Sequence, residues 1–416
     1  MSTPAGYQRV DIPAERHHDL LEVLDWGFAN HMRADAAALT EKTIDWSRAR
    51  GVEVLDGADA GALAGVHSSY AYDMRVPGGG TVATSGLTIV SVHPAHRRRG
   101  ILRSMIADHF ARSRARGEHV SSLIAAETAI YQRFGYALPA PSVRITLPRG
   151  IELRDVAGDA DLSARLETAD LERHGSTVRA VLARDARPGA HATVSDPLLA
   201  DQFTDPESQR GTKELLRIAV VEDSDGPAAF ALFQRALDWG TNGPNGTGTV
   251  RSWAAATPAA ARRLWTVLTS FDLLSEMQVD SVALDDHIML LAEDPRVLKA
   301  RHIDKVWVRI LDVPGALTAR TYAGDLDVRV AVDDSLVSAN DCTWAITVRD
   351  GVASVAATDE PADLRLDIRT LSAIYLGGVT LAKLARVGLV DGPPEALSAV
   401  SRAFRGDVMP SGTFYF

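Results

Sequence analysis

The stretch richest in usable chemistry is Val90-Ser-Val-His-Pro-Ala-His-Arg-Arg-Arg-Gly-Ile-Leu-Arg103. It reads as the end of a strand, a proline-containing turn, a basic glycine turn and the start of a helix. A helix N-terminus leaves several backbone N–H groups without intrahelical partners, and the helix dipole favours negative charge there. Gly100 lets the backbone approach a ligand with no Cβ in the way, and Arg97, Arg98 and Arg99 add positive charge beside those amides. The guest such a turn prefers is a phosphate or pyrophosphate. The competing reading is a solvated basic turn that merely caps a helix.

A second candidate is Tyr131, in Ile130-Tyr-Gln-Arg-Phe-Gly-Tyr136, as a proton donor or as an aromatic packed on a sheet. His93 and His96 adjoin the basic turn as turn residues. The chain ends on Gly412-Thr-Phe-Tyr-Phe416, an apolar aromatic end that gains by burial in a groove. Asp25, Trp26, Phe28, Asp35 and Trp46 form an unranked set that could line a pocket for a cationic amine.

The elements that must position these residues fall into three blocks, 1–149, 150–302 and 303–416. In the first, residues 15–28 have helical apolar spacing and residues 61–72 and 81–92 alternate as strands around a glycine-rich turn. A helix over residues 101–116 is stopped by Gly117. A strand over 120–125, a helix over 128–134 and a final strand over 142–147 complete the block. The second block repeats this order weakly, with strands over 217–221, 228–237 and 249–254, a helix over 258–274 and a strand over 280–284. Its turn, Thr257-Pro-Ala-Ala-Ala-Arg-Arg-Leu264, has no glycine, so it is expected to hold pyrophosphate poorly. In the third block five strand-like runs precede three helical ones, the pattern of an α+β domain.

With 416 residues the chain is expected to have two or three domains. Its formal net charge of −10 argues against a phosphate-tracking nucleic-acid binder; it suits a cationic ligand, but many soluble proteins carry such a charge for solubility alone, and that is the more frequent case. One cysteine, Cys342, permits no intrachain disulfide, which points to a reducing, cytoplasmic compartment. No metal-spaced cluster and no long apolar run is visible, so neither a metal cofactor nor a membrane partner is expected.

The basic turn resembles motif A of the GNAT acetyltransferases, written Arg/Gln-x-x-Gly-x-Gly/Ala: Arg97 and Gly100 fit, and Leu102 stands where Gly or Ala is usual. The form His-Pro-x-His-Arg-Arg-Arg-Gly-Ile-Leu is similar to the Eis (enhanced intracellular survival) subfamily, as are the Tyr131–Tyr136 segment, the three-block length and the aromatic C-terminus. The resemblance implies two tandem GNAT domains followed by a sterol-carrier-like α+β domain, assembled as a homo-oligomer, a hexamer. It implies acetyl-CoA as co-substrate. The backbone of Val90, Ser91 and Val92 would pair with the pantetheine arm, and Arg98, Arg99, Gly100, Ile101, Leu102 and Arg103 would wrap the pyrophosphate. Ala126 and Glu127 would complete the groove. It also implies Tyr131 as general acid and the terminal carboxylate of Phe416 as general base, acting on an amine of an aminoglycoside-type polyamine or a lysine side chain. The rival readings are a lipid carrier built on the third block and an acyltransferase for longer acyl chains.

Overall fold

The computed structural model describes residues 3–29 and 31–416. Among these residues the strands form two seven-stranded sheets, a four-stranded sheet and a two-stranded ribbon. The first sheet runs in the order Tyr7–Asp11, Arg50–Val54, Leu63–Arg75, Thr81–Val92, Val120–Ile124 and Val306–Ile310, with His191–Val194 also paired to Leu63–Arg75. Its neighbours are antiparallel except Thr81–Val92 and Val120–Ile124, which are parallel and joined by the helix Ile101–Ala115. Parallel neighbours need such a crossover. That helix buries Ile101, Met105, Ile106 and Phe110 on the sheet, each no more than 2% exposed, at the spacing of one helical face.

The second sheet repeats the motif. Gly246–Ala255 and Leu274–Ala283 are parallel, and the helix Pro258–Leu268 crosses between them. This helix is shorter than its apolar spacing suggests. Leu273 takes a left-handed φ of 69° at the entry to the following strand, which starts at Leu274. In the four-stranded sheet the order is Val352–Thr358, Thr343–Arg349, Leu326–Asp333 and Leu364–Asp367, with helices Ile368–Ile374, Leu381–Ala385 and Pro394–Phe404 following in the chain.

The sheets exchange strands across the block limits expected at 149/150 and 302/303. Ser142–Pro148, expected to close the first block, lies in the second sheet, where Ile145 faces Val279. Val306–Ile310, expected to open the third, pairs with Val120–Ile124 in the first sheet. His191–Val194 crosses from the second block to the edge of the long Leu63–Arg75 strand. One continuous core accordingly contains Tyr72, Val178, Phe230, Val308, Leu371 and Phe414.

The exchange is fastened by a buried pair. Arg309, on the exchanged strand, donates from Nη2 to both carboxylate oxygens of Asp334 at 2.6 and 2.7 Å. Asp334 also accepts from the Leu336 and Val337 amides and from Asn340 Nδ2, so its oxygens are fully engaged in a dry setting. This holds the Ser335–Leu336 turn of the third block against the first.

Candidate active site

Two backbone devices open the site. On one edge of Thr81–Val92 the register to Leu63–Arg75 slips between Val66 and Ser68, and Ile89 there has a φ of 47°. The extra residue is a β-bulge, which bends the strand. On its other edge the strand pairs with Val120–Ile124 only at Thr84, Ser85 and Gly86. Beyond Gly86 the two strands part, and a cleft of about 1250 Å³ fills the gap. Val90, Ser91 and Val92 line one wall and Ala126 and Glu127 the other, so strand backbone faces the cavity with no neighbouring strand. The helix His17–Phe28 closes on the bulged strand at Gly27, where a Cβ would come within 1.9 Å of Ser91 Oγ. That hydroxyl donates to the Val23 carbonyl at 2.9 Å.

At the end of the bulged strand, residues 93–100 turn the chain. His93 Nδ1 accepts from the Ala95 amide at 3.3 Å. Arg98 and Gly100 have φ of 62° and 85°, and these two left-handed residues aim the first turn of Ile101–Ala115 at the cleft. Gly100 owes its place to that φ rather than to crowding, because a Cβ there would meet only Pro4, at 3.6 Å. Arg98, Gly100, Ile101, Leu102 and Arg103 all line the cavity. Arg99 does not. It donates from Nη1 to Tyr7 Oη at 2.7 Å, and Tyr7 in turn bonds His96 Nδ1 at 3.0 Å. Its side chain braces the turn from behind instead of reaching into the groove.

Tyr131 lines the cleft from the short helix Thr128–Tyr131, its ring edge-on to Tyr136 with centroids 5.9 Å apart. Burial, with a smaller contribution from the Glu127 charge, pushes its phenol up to about 12. Phe416 reaches the same cavity from the far end of the chain. Its ring lies near Tyr70, Tyr72 and His191 at 6.0, 6.1 and 5.9 Å. The fully buried Phe414 ties the tail down behind it.

Of the five acceptor-pocket candidates, Phe28 alone is among the cavity-lining residues. Trp26 is largely exposed against the His93 ring. Asp25 accepts from the Met32 amide, Asp35 from the Ser208 amide, and the Trp46 indole donates to the Glu41 carbonyl. Sequence reasoning missed Ser335 and Leu336, which enter the lining from the third block. Nothing local to those residues signals it, since the Arg309–Asp334 pair places them. It also missed Tyr415 and Arg133 as lining residues, although both neighbour residues it had singled out.

The residues present fit a ligand that carries a pyrophosphate and an amide-bearing arm. Strand backbone faces the groove, helix N-terminal residues and Arg97, Arg98 and Arg103 stand at one end, and Tyr131 lines the cavity they share. Among the described residues no group of side chains is arranged to hold a metal ion, and no helix is long and apolar enough to cross a membrane.

Residues 11–138 and 198–310 each match an acetyltransferase (GNAT) domain family, and residues 313–411 match a sterol carrier protein domain family. The chain is 33% identical over 375 residues to an uncharacterized N-acetyltransferase of Streptomyces avermitilis, covering 87% of this chain and 88% of that one. It is 28% identical over 379 residues to N-acetyltransferase Eis of Mycobacterium tuberculosis, covering 88% and 89%. The crystal structure of Eis1 from Mycobacterium abscessus matches with a TM-score of 0.82 at 26% identity, over 99% of this chain and all of that one. With its paired acetyltransferase domains and its sterol-carrier-type domain, the chain belongs to the Eis family of GNAT N-acetyltransferases.

Proposed function

We propose that the enzyme transfers acetyl directly from acetyl-CoA to an amine of a cationic acceptor, a polyamine of the aminoglycoside type or a lysine side chain. Tyr131 acts as general acid and the terminal carboxylate of Phe416 as general base. The observation that carries this reading is that Tyr131 and Phe416, 285 positions apart, line one cavity together with the basic turn. The net charge of −10 is compatible with a cationic acceptor. As the amine attacks the thioester carbonyl, its proton passes to the carboxylate, directly or through water. The C–S bond then breaks and the thiolate is met by the Tyr131 hydroxyl. A phenol near 12 stays protonated throughout the neutral range, so a donor is always in place. A cytoplasmic homohexamer belongs to the same reading by family resemblance.

The test is release of CoA thiol with an aminoglycoside acceptor, comparing the native end with a chain extended past Phe416. Turnover that collapses on extension supports the carboxylate as base. Equal turnover in both keeps the acetyltransferase and removes the carboxylate. Acetyl-CoA binding without release for any amine removes the proposed acceptor class.

A further inference from the structure

The second acetyltransferase domain also has parted parallel strands. Gly246–Ala255 and Leu274–Ala283 pair from Gly246 to Val250 and then separate. Here the gap is closed by the chain itself. Trp253 Nε1 donates across it to the Ser281 carbonyl at 3.2 Å, and the residual cavity of about 220 Å³ is roofed by residues 411–413 of the C-terminal tail. The helix that follows has its Ala260 amide capped by the Thr257 hydroxyl at 3.1 Å, unlike the uncapped turn in the first domain. The second domain thus receives the tail where the first receives a ligand.

From there the tail is held residue by residue. Met409 donates to Asp285 at 2.8 Å, and its carbonyl accepts from Arg187 at 2.9 Å. Gln202 donates to the Tyr415 carbonyl at 2.7 Å. Between these contacts lies Lys305, in the link joining a strand of the second sheet to one of the first. It is 3% exposed. Its ammonium donates to the Thr413 carbonyl at 3.3 Å and faces the Tyr415 ring at 4.6 Å, and the charge of Asp280 only partly offsets the effect of its burial. A buried cation whose counter-charge does not offset its desolvation is costly, and an apolar side chain of similar length would serve stability as well or better. Its place is explained by what it touches, which is the tail.

We propose that Lys305 is a positioning residue for the Phe416 carboxylate, fixing residues 413–415 in register so that the chain end lies in the cleft with Tyr131. This rests on the carboxylate acting as base. The experiment places Lys305→Met in the native chain and in one extended by a single glycine. Expected in the native chain are an unfolding midpoint equal or higher, an acetyl-CoA KM unchanged and a kcat lower by about ten- to a hundredfold. In the extended chain, where the carboxylate is already displaced, the substitution lowers kcat no further. Native kcat in Lys305→Met, or the same loss in both chains, overturns the proposal while leaving the carboxylate reading intact. Extension without effect on kcat overturns both. Gln202→Leu, which removes the donor to the Tyr415 carbonyl, gives the same pattern should Lys305→Met fail to fold. Native kcat there overturns the proposal as well.

Discussion

The ring of Phe416 stands almost perpendicular to that of Tyr70, with centroids 6.0 Å apart, and its far edge lies over Gly86. A Cβ at Gly86 would meet Phe416 Cε2 at 2.9 Å and Cζ at 3.0 Å. Gly86 is also the last residue of its strand to pair with Ser122 before the cleft opens. Glycine here makes room for the chain end at the mouth of the splay. Gly86→Val is therefore expected to displace the terminal ring and lower kcat by at least about tenfold. The KM for acetyl-CoA should hold, because the residues proposed to bind it, Val90 to Val92 and the basic turn, lie beyond the bulge. Steady-state kinetics separate the two, and a native kcat would show that the position of the Phe416 ring is irrelevant to turnover.

Tyr131 should behave as a donor that never titrates in the working range. Its phenol is pushed above the ordinary value of 10, so the protonated form persists to about pH 12. No alkaline fall in kcat is expected from it between about pH 7 and 10. Tyr131→Phe keeps the edge-on contact with Tyr136 and removes only the hydroxyl. We expect kcat to drop by about a hundredfold, with acetyl-CoA affinity kept. An alkaline limb near pH 9 that vanishes in Tyr131→Phe would contradict the burial argument.

The basic turn offers a cleaner test of ligand binding. Arg98 lines the cleft and holds a left-handed φ of 62°, which costs a non-glycine residue about 1 kcal/mol. Arg98→Gly removes the charge while leaving the backbone free to keep the turn. The KM for acetyl-CoA should rise about three- to tenfold at low salt with kcat nearly native, and the effect should shrink as salt is added. Arg99→Gly makes the contrast. Arg99 serves Tyr7 rather than the groove, so its loss should lower thermal stability more than it raises KM.

Where the sequence was legible, a local period or a contiguous motif carried the signal. The helix Ile101–Ala115 was readable because Leu102, Met105, Ile106 and Phe110 recur at helical spacing, and the cleft because strand, turn and helix start are contiguous. What sequence could not supply was pairing at a distance. No property of Ser142–Pro148 or of Val306–Ile310 says which sheet it joins, because an alternating strand suits either. Arg97, Arg98 and Arg99 are chemically equivalent in the sequence, and only the left-handed residues flanking Arg99 turn it toward Tyr7. Lys305 carried no local signal, since its meaning comes from a tail that returns more than a hundred residues later.

The tail's packing should also make stability sensitive to acid. His191 is 1% exposed, its ring 4.3 Å from Tyr72 and 5.2 Å from Phe414, and neither ring nitrogen has a hydrogen-bond partner among the described residues. Burial, and after it the Lys305 charge, lowers the imidazole to about 3. The folded chain therefore excludes a proton that the unfolded chain binds below about pH 6.5. Nothing is lost above that value. Below it, stability falls by about 1.4 kcal/mol per unit until the folded value is reached, or about 2 kcal/mol by pH 5. His191→Phe, which keeps an aromatic ring between its neighbours, should leave stability at pH 7 little changed and make its decline toward pH 5 shallower by one proton. Denaturant midpoints at the two pH values measure this directly. The buried His67 and His109 contribute to both proteins alike, so the difference in slope isolates His191. An identical slope in the two proteins would mean that the ring beneath the C-terminal tail is hydrated, and the tail with it.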